Sequence, residues 1–350
     1  GFQLRRQLLR LKQHLDAIDC TTILSAGQSG EIEYDSLATL VHGVIGLEMH
    51  APDFGRPRRR VLISKMRGME FQAGYHDADL FTGGLAVYPR LNAGSSRAQP
   101  RRTITSGNTG IDAILGGGLE EGTTCVVTGT AGAGKSSLLN LYAHAAAARG
   151  VRSSIYCFDE RIDMLLHRAS GMGVPLEESV EGGLVKLKQI NVGEISPGRL
   201  GEMIRRDVED EDVRIVAIDS LSGYFLSMPG ERELVTQLHE LLGYLSEAGV
   251  LSLMVVASHG LFGESETPID VSYIADTVVV LRHFESRGEV RRCIAALKKR
   301  SGAHERTIRE IQLGADGIEV GEPLRNFSGV LTGLPRYEGS PTELLDRPGG

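Results

Sequence analysis

Cysteine is scarce in this chain. Its four residues, Cys20, Cys125, Cys157 and Cys293, stand singly, with no pair at metal-ligand or redox spacing. Scattered thiols of this kind suit reduced core positions in a cytosolic protein. Long apolar runs are also missing: none approaches the length of about 20 residues that spans a bilayer, and no secretory apolar segment opens the chain. Neither a membrane anchor nor export is expected, and a cytoplasmic location is. A strong basic field is absent too, since the pI is about 5.9, which argues against nucleic acid as a partner. The first residue is not Met and the opening reads as mid-helix, as a piece of a longer chain would.

What is present is a globular composition, 41% hydrophobic and 24% charged over 350 residues. That length suits one large domain plus part of another. Charge is uneven: 14 Lys and Arg face 10 Asp and Glu through Arg102, and 24 face 35 beyond it. The front portion is therefore at +4 and the rest at −11. Much of the basic excess lies in "RPRRR" (56–60) and "NAGSSRAQPRR" (92–102), read as a hairpin tip and a flexible linker.

The chain holds one and a half repeats. "ISKMRGMEFQAGYH" (63–76) aligns with "ALKKRSGAHERTIR" (296–309), and the same offset aligns "GLAVYP" (84–89) with "GIEVGE" (317–322). Each copy carries a helical pattern, a β-rich run, an apolar strand, a basic strand ending in Lys-x-Arg, and a small hairpin. Only the second continues upstream into alternating strands and helices: "GTTCVVTG", "SSIYCF", "LVKLKQIN" and "RIVAIDS". Such βαβ order predicts an α/β fold with a mostly parallel sheet covered on both faces. Residues 1–91 then read as the back half of a domain whose front half is not in this sequence. Residues 92–103 read as a linker, 104–325 as a complete domain, and 326–350 as a Pro/Gly-rich mobile tail.

The chemistry sits in "VVTGTAGAGKSSLLNLYAHA". Gly129, Thr130, Ala131, Gly132, Ala133, Gly134, Lys135 and Ser136 fit G-x-x-x-x-G-K-[ST], between a strand and a helix as that motif requires, and Ser137 follows as a further nucleotide-binding candidate. Glycines let backbone N–H groups curl round phosphate oxygens, and the helix start adds its positive dipole end. Lys135 would reach the β- and γ-phosphates of ATP, and the Ser136 hydroxyl would bind Mg²⁺. "RIVAIDSL" ends a buried strand in Asp219, placed to hold the same metal ion. "IYCFDERIDML" ends another strand in Asp159 and Glu160, either of which could orient or deprotonate the attacking nucleophile. An acidic pair also suits a helix start, and spacing alone leaves both readings open.

Together the P-loop, the acidic pair, "AIDSL", "YIADTVVVLRHFE" and "KKRSGAHERTI" resemble the KaiC family of RecA-like ATPases over nearly the whole chain. That resemblance implies a RecA-like P-loop NTPase fold with a C-terminal β-hairpin, preceded by a partial domain of the same kind. It also implies a hexameric ring with ATP at subunit interfaces. Lys65–Arg67 and Lys298–Arg300 would then reach into a neighbouring subunit's site, where Arg charge stabilises the transferring phosphoryl group. Two departures place the chain outside the cyanobacterial clock type. Where clock members carry an adjacent Ser and Thr that autophosphorylate, this chain has Ser272 and Tyr273, leaving Ser272 as the candidate phosphoacceptor. Asp159 stands where they carry Glu. The clock partners KaiA and KaiB are therefore not implied.

Two functional classes compete: a slowly hydrolysing signalling ATPase with single-site serine autokinase capacity, and a RecA-like DNA recombinase or helicase core. The second wants basic loops with aromatics for stacking bases. The loop "HGLFGESETPID" (259–270) has one Phe and neither Lys nor Arg, which favours the first.

Overall fold

Strand β7 (Thr124–Gly129) is apolar on both sides of its pleat, and the domain is built around it. The computed structural model describes residues 2–27, 38–51, 56–91, 101–226, 234–257, 273–286, 288–332 and 335–339. The chain separates into two compact units, Gly1–Arg90 and Leu91–Gly350.

The larger unit begins with the short strand β5 (Thr103–Ile104), helix α2 (Thr109–Ile114) and β6 (Leu119–Glu120), before β7 enters the sheet. Beyond it come α3 (Lys135–Ala147), β8 (Arg152–Cys157), α4 (Ile162–Gly171), α5 (Glu177–Glu181) and β9 (Val185–Gln189). Then follow α6 (Pro197–Glu211), β10 (Val213–Asp219), α7 (Leu221–Leu226), α8 (Leu234–Glu247) and β11 (Leu251–Ala257). The chain closes the sheet with β12 (Thr277–Ser286), β13 (Glu289–Lys299), β14 (Arg309–Gly314) and β15 (Gly317–Pro323). Strand order is β15-β14-β13-β12-β7-β11-β10-β8-β9. From β12 to β9 neighbours run parallel, while β12 through β15 pair antiparallel. The expected α/β sheet, mostly parallel and flanked by helices, is what forms.

Parallel strands covered on both faces read as nearly continuous apolar runs. Here successive residues feed two separate cores. Cys125, Val127, Leu253, Val255, Val279 and Leu281 pack with Leu138, Leu139 and Tyr142 of α3. Val126, Met254, Val256, Val278 and Val280 pack with Leu200 and Ile204 of α6 and Leu238, Leu241 and Leu245 of α8. Three of the four cysteines join the interior as expected, but Cys20 is exposed.

The smaller unit holds α1 (Phe2–Ala17) and an antiparallel sheet, β1 (Gly43–His50), β2 (Arg58–Met66), β3 (Tyr75–Phe81) and β4 (Gly84–Tyr88), in that order. Its local geometry repeats that of β12–β15. The Arg67 amide donates to the His42 carbonyl at 2.9 Å, as the Arg300 amide donates to Asp276 at 2.9 Å. A register shift follows Val44 in one pair and Val278 in the other. The hairpins close at aligned positions, Phe81 opposite Gly84 and Gly314 opposite Gly317. The difference lies on the outer side of the first strand. β12 is paired to β7, whereas β1 is the edge of its sheet. Ile45 and Leu47 are 59% and 67% exposed, while Val279 and Leu281, their counterparts, are each 1% exposed.

One buried ionic cluster locks α6 to the sheet. Asp207, 2% exposed, accepts from the Tyr156 hydroxyl at 2.6 Å and from Lys188 Nζ at 2.6 and 2.8 Å. Burial and the neighbouring carboxylate push the Tyr156 phenol far up its scale, so it remains a donor. Removing one member strands the others. Asp207→Ala is expected to lower unfolding free energy by about 3 kcal/mol, read as a reduced urea midpoint with an unchanged slope.

Candidate functional site

The phosphate-loop sequence begins where β7 runs out of room. Gly129 pairs with Leu281 of β12, and a Cβ there would lie 1.9 Å from the Leu281 carbonyl oxygen. Only glycine allows that approach. Thr130 to Gly134 then turn the chain into α3, whose N-cap Gly134 is left-handed (φ 104°, ψ 15°) and offers no side chain to the helix. The first N–H groups of α3 thus have no side-chain cap, the arrangement that receives anions at helix starts.

Charged groups converge on this loop. Lys135, 8% exposed, donates to the Thr130 carbonyl at 2.7 Å. Burial lowers its pKa, against the opposing pull of Asp219 and Asp159. Asp219, at the end of β10, has its carboxyl pKa raised chiefly by burial and further by Asp159 and Glu160. A hydrogen bond from the Ser136 side chain and the Arg168 charge oppose that rise. Ser136 and Asp219 therefore meet as hard oxygen donors, a pair that fits Mg²⁺ held with substrate phosphates. Among the described residues no group of three or more His, Cys, Asp and Glu side chains gathers into a metal cage.

The two acidic residues after β8 are held differently. Asp159 Oδ2 accepts from Ser220 Oγ at 2.5 Å, and Ser220 Oγ in turn accepts the Gly223 amide at 3.1 Å. Glu160 is gripped by both forks of Arg168 on α4, at 3.1 and 2.7 Å.

Lys298 and Arg300 are not brought to this loop. Lys298 pairs with Val278, which pairs with Val126. That register lies three residues before Gly129, about 10 Å along the strand from the start of the loop. Lys298 Nζ donates to the Ala275 carbonyl at 2.8 Å and Arg300 to the Tyr273 carbonyl at 2.9 Å. The first copy repeats the device, Lys65 to Ala38 at 2.6 Å and Arg67 to Thr39 at 3.3 Å. Between the pair in the second copy, buried Lys299 donates to Leu115 and Gly118 carbonyls at 2.7 and 2.9 Å and meets Glu120 at 3.0 Å. Ser272 and the loop 259–270 lie outside the described residues.

Several contributors escaped the sequence reading. His283 Nδ1 is 3.0 Å from Thr130 Oγ1, and Arg292 Nε donates to the Gly132 carbonyl at 3.1 Å. An open groove of about 340 Å³ runs beside them, lined by Val290, Arg292, Glu310 and Leu313 among others. Leu313 also lies against Gly134. The available signal was a His two residues beyond Leu281, on the strand face that otherwise carries apolar side chains. Arg168 and Ser220 carried no comparable signal, because their partners are set by tertiary packing.

His283 gives the site a pH dependence. Burial first, then Arg292 and Lys135, hold its pKa below the ordinary 6.5, with a Gly132 backbone bond opposing. The unfolded chain thus takes up this proton at a higher pH than the folded one. Stability contributed here is complete above 6.5 and falls as pH drops from that value through the lower folded one. His283→Asn removes the titration. Thermal melts between about pH 5 and 8 are expected to show a shallower acid-side decline for the variant than for the parent.

Comparison with known proteins agrees with this geometry. The family model described as "ATPase: KaiC" matches residues 2–92 and 104–325. The chain is 26% identical over 342 residues to the circadian clock protein KaiC3 of Synechocystis sp., covering 96% of this chain and 67% of the relative. Against the circadian clock oscillator protein KaiC of Synechococcus elongatus it is 26% identical over 341 residues, covering 95% of this chain and 64% of the relative. The corresponding protein of Thermosynechococcus vestitus gives the same four values. The chain thus spans about two thirds of the length of these relatives. With the match extending through both units and the phosphate-loop strand at the centre of the sheet, the chain belongs to the KaiC family of ATPases.

Proposed function

We propose that residues 104–325 bind Mg-ATP and hydrolyse it slowly, in a homo-oligomeric ring whose nucleotide sites lie between subunits. The observation that carries this is the convergence of Lys135, Ser136 and Asp219 on an uncapped helix start. In this reading Gly129 to Ser137 cradle the triphosphate, Lys135 faces the β- and γ-phosphates, and Ser136 with Asp219 holds the metal ion. The groove lined by Val290, Arg292 and Leu313 takes the base. Glu160, or Asp159 beside it, accepts a proton as water oxygen bonds to the γ-phosphorus and the bond to the β-phosphate oxygen breaks.

Lys298 and Arg300 act on an adjacent subunit's site. Supporting this, their register lies back along the strands from their own phosphate loop, and Arg300 is half exposed. Residues 1–91 are the back half of a second domain of the same kind. Their strands repeat the β12–β15 geometry, and Ile45 and Leu47 expose the face that β7 and α3 cover in the larger unit. The names of the relatives tie them to circadian clocks, which supports a nucleotide-driven signalling role for this chain. Phosphorylation is confined to Ser272, because the Tyr273 phenol extends too far to stand in for a Thr hydroxyl in line with the leaving oxygen.

Lys135→Ala is expected to abolish measurable ATP retention in a filter-binding assay, and parental binding by that variant would refute the site. Arg300→Ala should lower kcat while retaining ATP. Mixing it with Lys135→Ala should restore part of the activity, since mixed rings place an intact loop beside an intact Arg300. No recovery in demonstrably mixed rings would count against a shared site. A phosphopeptide map after incubation with Mg-ATP should show phosphate on Ser272 alone or nowhere in 270–276.

A further inference from the structure

Glu160 sits on the turn between β8 and α4, one third exposed. On a surface turn such a side chain samples several rotamers, and a base works only when its oxygen is held within hydrogen-bond reach of the water it activates. Something must hold it. Among the described residues a single candidate has the right chemistry. Arg168, two turns into α4, donates Nε to Glu160 Oε1 at 3.1 Å and Nη2 to Oε2 at 2.7 Å. Its remaining terminal nitrogen, Nη1, reaches Ser137 Oγ at 3.3 Å. Ser137 is in the first turn of α3, next to Ser136, and is 5% exposed. One guanidinium therefore spans from the acidic turn to the helix that carries the phosphate loop.

The geometry of that span matters more than its energy. An ion pair whose partners are each about one third exposed stabilises the fold only slightly. A planar fork, however, fixes both the position and the plane of a carboxylate, which an ammonium cannot do. Each carboxylate oxygen has two lone pairs, so oxygens engaged by Arg168 keep one each for another donor. Asp159 differs: Ser220 engages one of its oxygens, and among the described residues no side-chain hydrogen bond ties it to α3. The arginine's cation also bears on Asp219, opposing the rise in that carboxyl's pKa, so a single group stands within electrostatic reach of both carboxylates.

We propose that Arg168 is the positioning residue of the hydrolytic centre, aligning Glu160 against the phosphate loop through its bridge to Ser137. This rests on the reading of Glu160 as the group that activates water. In this role Arg168 acts through the carboxylate, so its loss reaches kcat and leaves nucleotide affinity alone.

The test uses the full chain in four forms: Glu160→Gln, Arg168→Gln, the double variant, and Arg168→Lys. Steady-state ATPase rates are measured beside the Kd of a fluorescent ATP analogue and thermal melts. Arg168→Gln should lower kcat by about 10- to 100-fold, the cost of a misplaced catalytic group, with Kd within about twofold of the parent, too small a shift for an affinity role. Arg168→Lys keeps the charge and the stem but not the fork. It should fold if the Gln variant does not, and it should show a comparable loss. In the Glu160→Gln background, Arg168→Gln should cost no further activity, because two residues acting as one unit are not additive.

Parental kcat in either folded Arg168 variant, with Glu160→Gln inactive, overturns the positioning role alone. So does a fall in kcat matched by a rise in Kd, or a further loss in the double variant, because a merely structural arginine would give those. Parental turnover by Glu160→Gln overturns the assignment of the base and the positioning role with it.

Discussion

Strand β7 is hydrogen-bonded along both edges and packed on both faces, and the rest of the molecule depends on where it ends. Its pairing with β12 brings Gly129 so close to the Leu281 carbonyl that no side chain fits between them. The strand cannot continue straight, and the chain must leave through a loop whose glycines permit backbone angles other residues resist. Burial of the strand makes the loop's start immovable, and burial of α3 by Leu138, Leu139 and Tyr142 fixes its end. A loop clamped at both ends keeps its amides in place before any ligand arrives, so little ordering is left to the moment of binding.

Electrostatics around that loop show two opposed effects with a clear winner in each case. For Lys135, burial outweighs two nearby carboxylates and favours the uncharged amine. For Asp219, burial together with Asp159 and Glu160 outweighs Ser136 and Arg168 and favours the protonated acid. Both groups are pushed toward neutrality in their present surroundings. A polyphosphate beside the lysine and a divalent cation beside the aspartate would reverse both pushes at once.

The smaller unit shows what the same local sequence does without that central strand. Lys65 and Arg67 find backbone carbonyls just as Lys298 and Arg300 do, and the hairpins close at the same offset. These features arise from contacts within a strand pair and its turn, so the short segment suffices to form them. Burial of Ile45 and Leu47 requires a neighbouring strand and helix, and in this chain those side chains remain exposed.

That contrast separates what the sequence determined from what the tertiary structure decided. Alternation of apolar runs with helical patterns was enough for the parallel sheet, because burial on both faces demands that composition. The G-x-x-x-x-G-K-[ST] loop was legible as a pattern because eight consecutive residues carry it. Asp159, Glu160 and Asp219 were legible as strand-ending carboxylates, but their partners were not. Ser220 lies 61 residues from Asp159 and Arg292 lies 160 from Gly132, distances over which no local pattern operates. Which side of the sheet Lys298 and Arg300 occupy was likewise hidden, since strand register and direction place them. Local periodicity and short motifs depend on neighbours along the chain. Side-chain pairing depends on which strands lie side by side, and only the assembled sheet decides that.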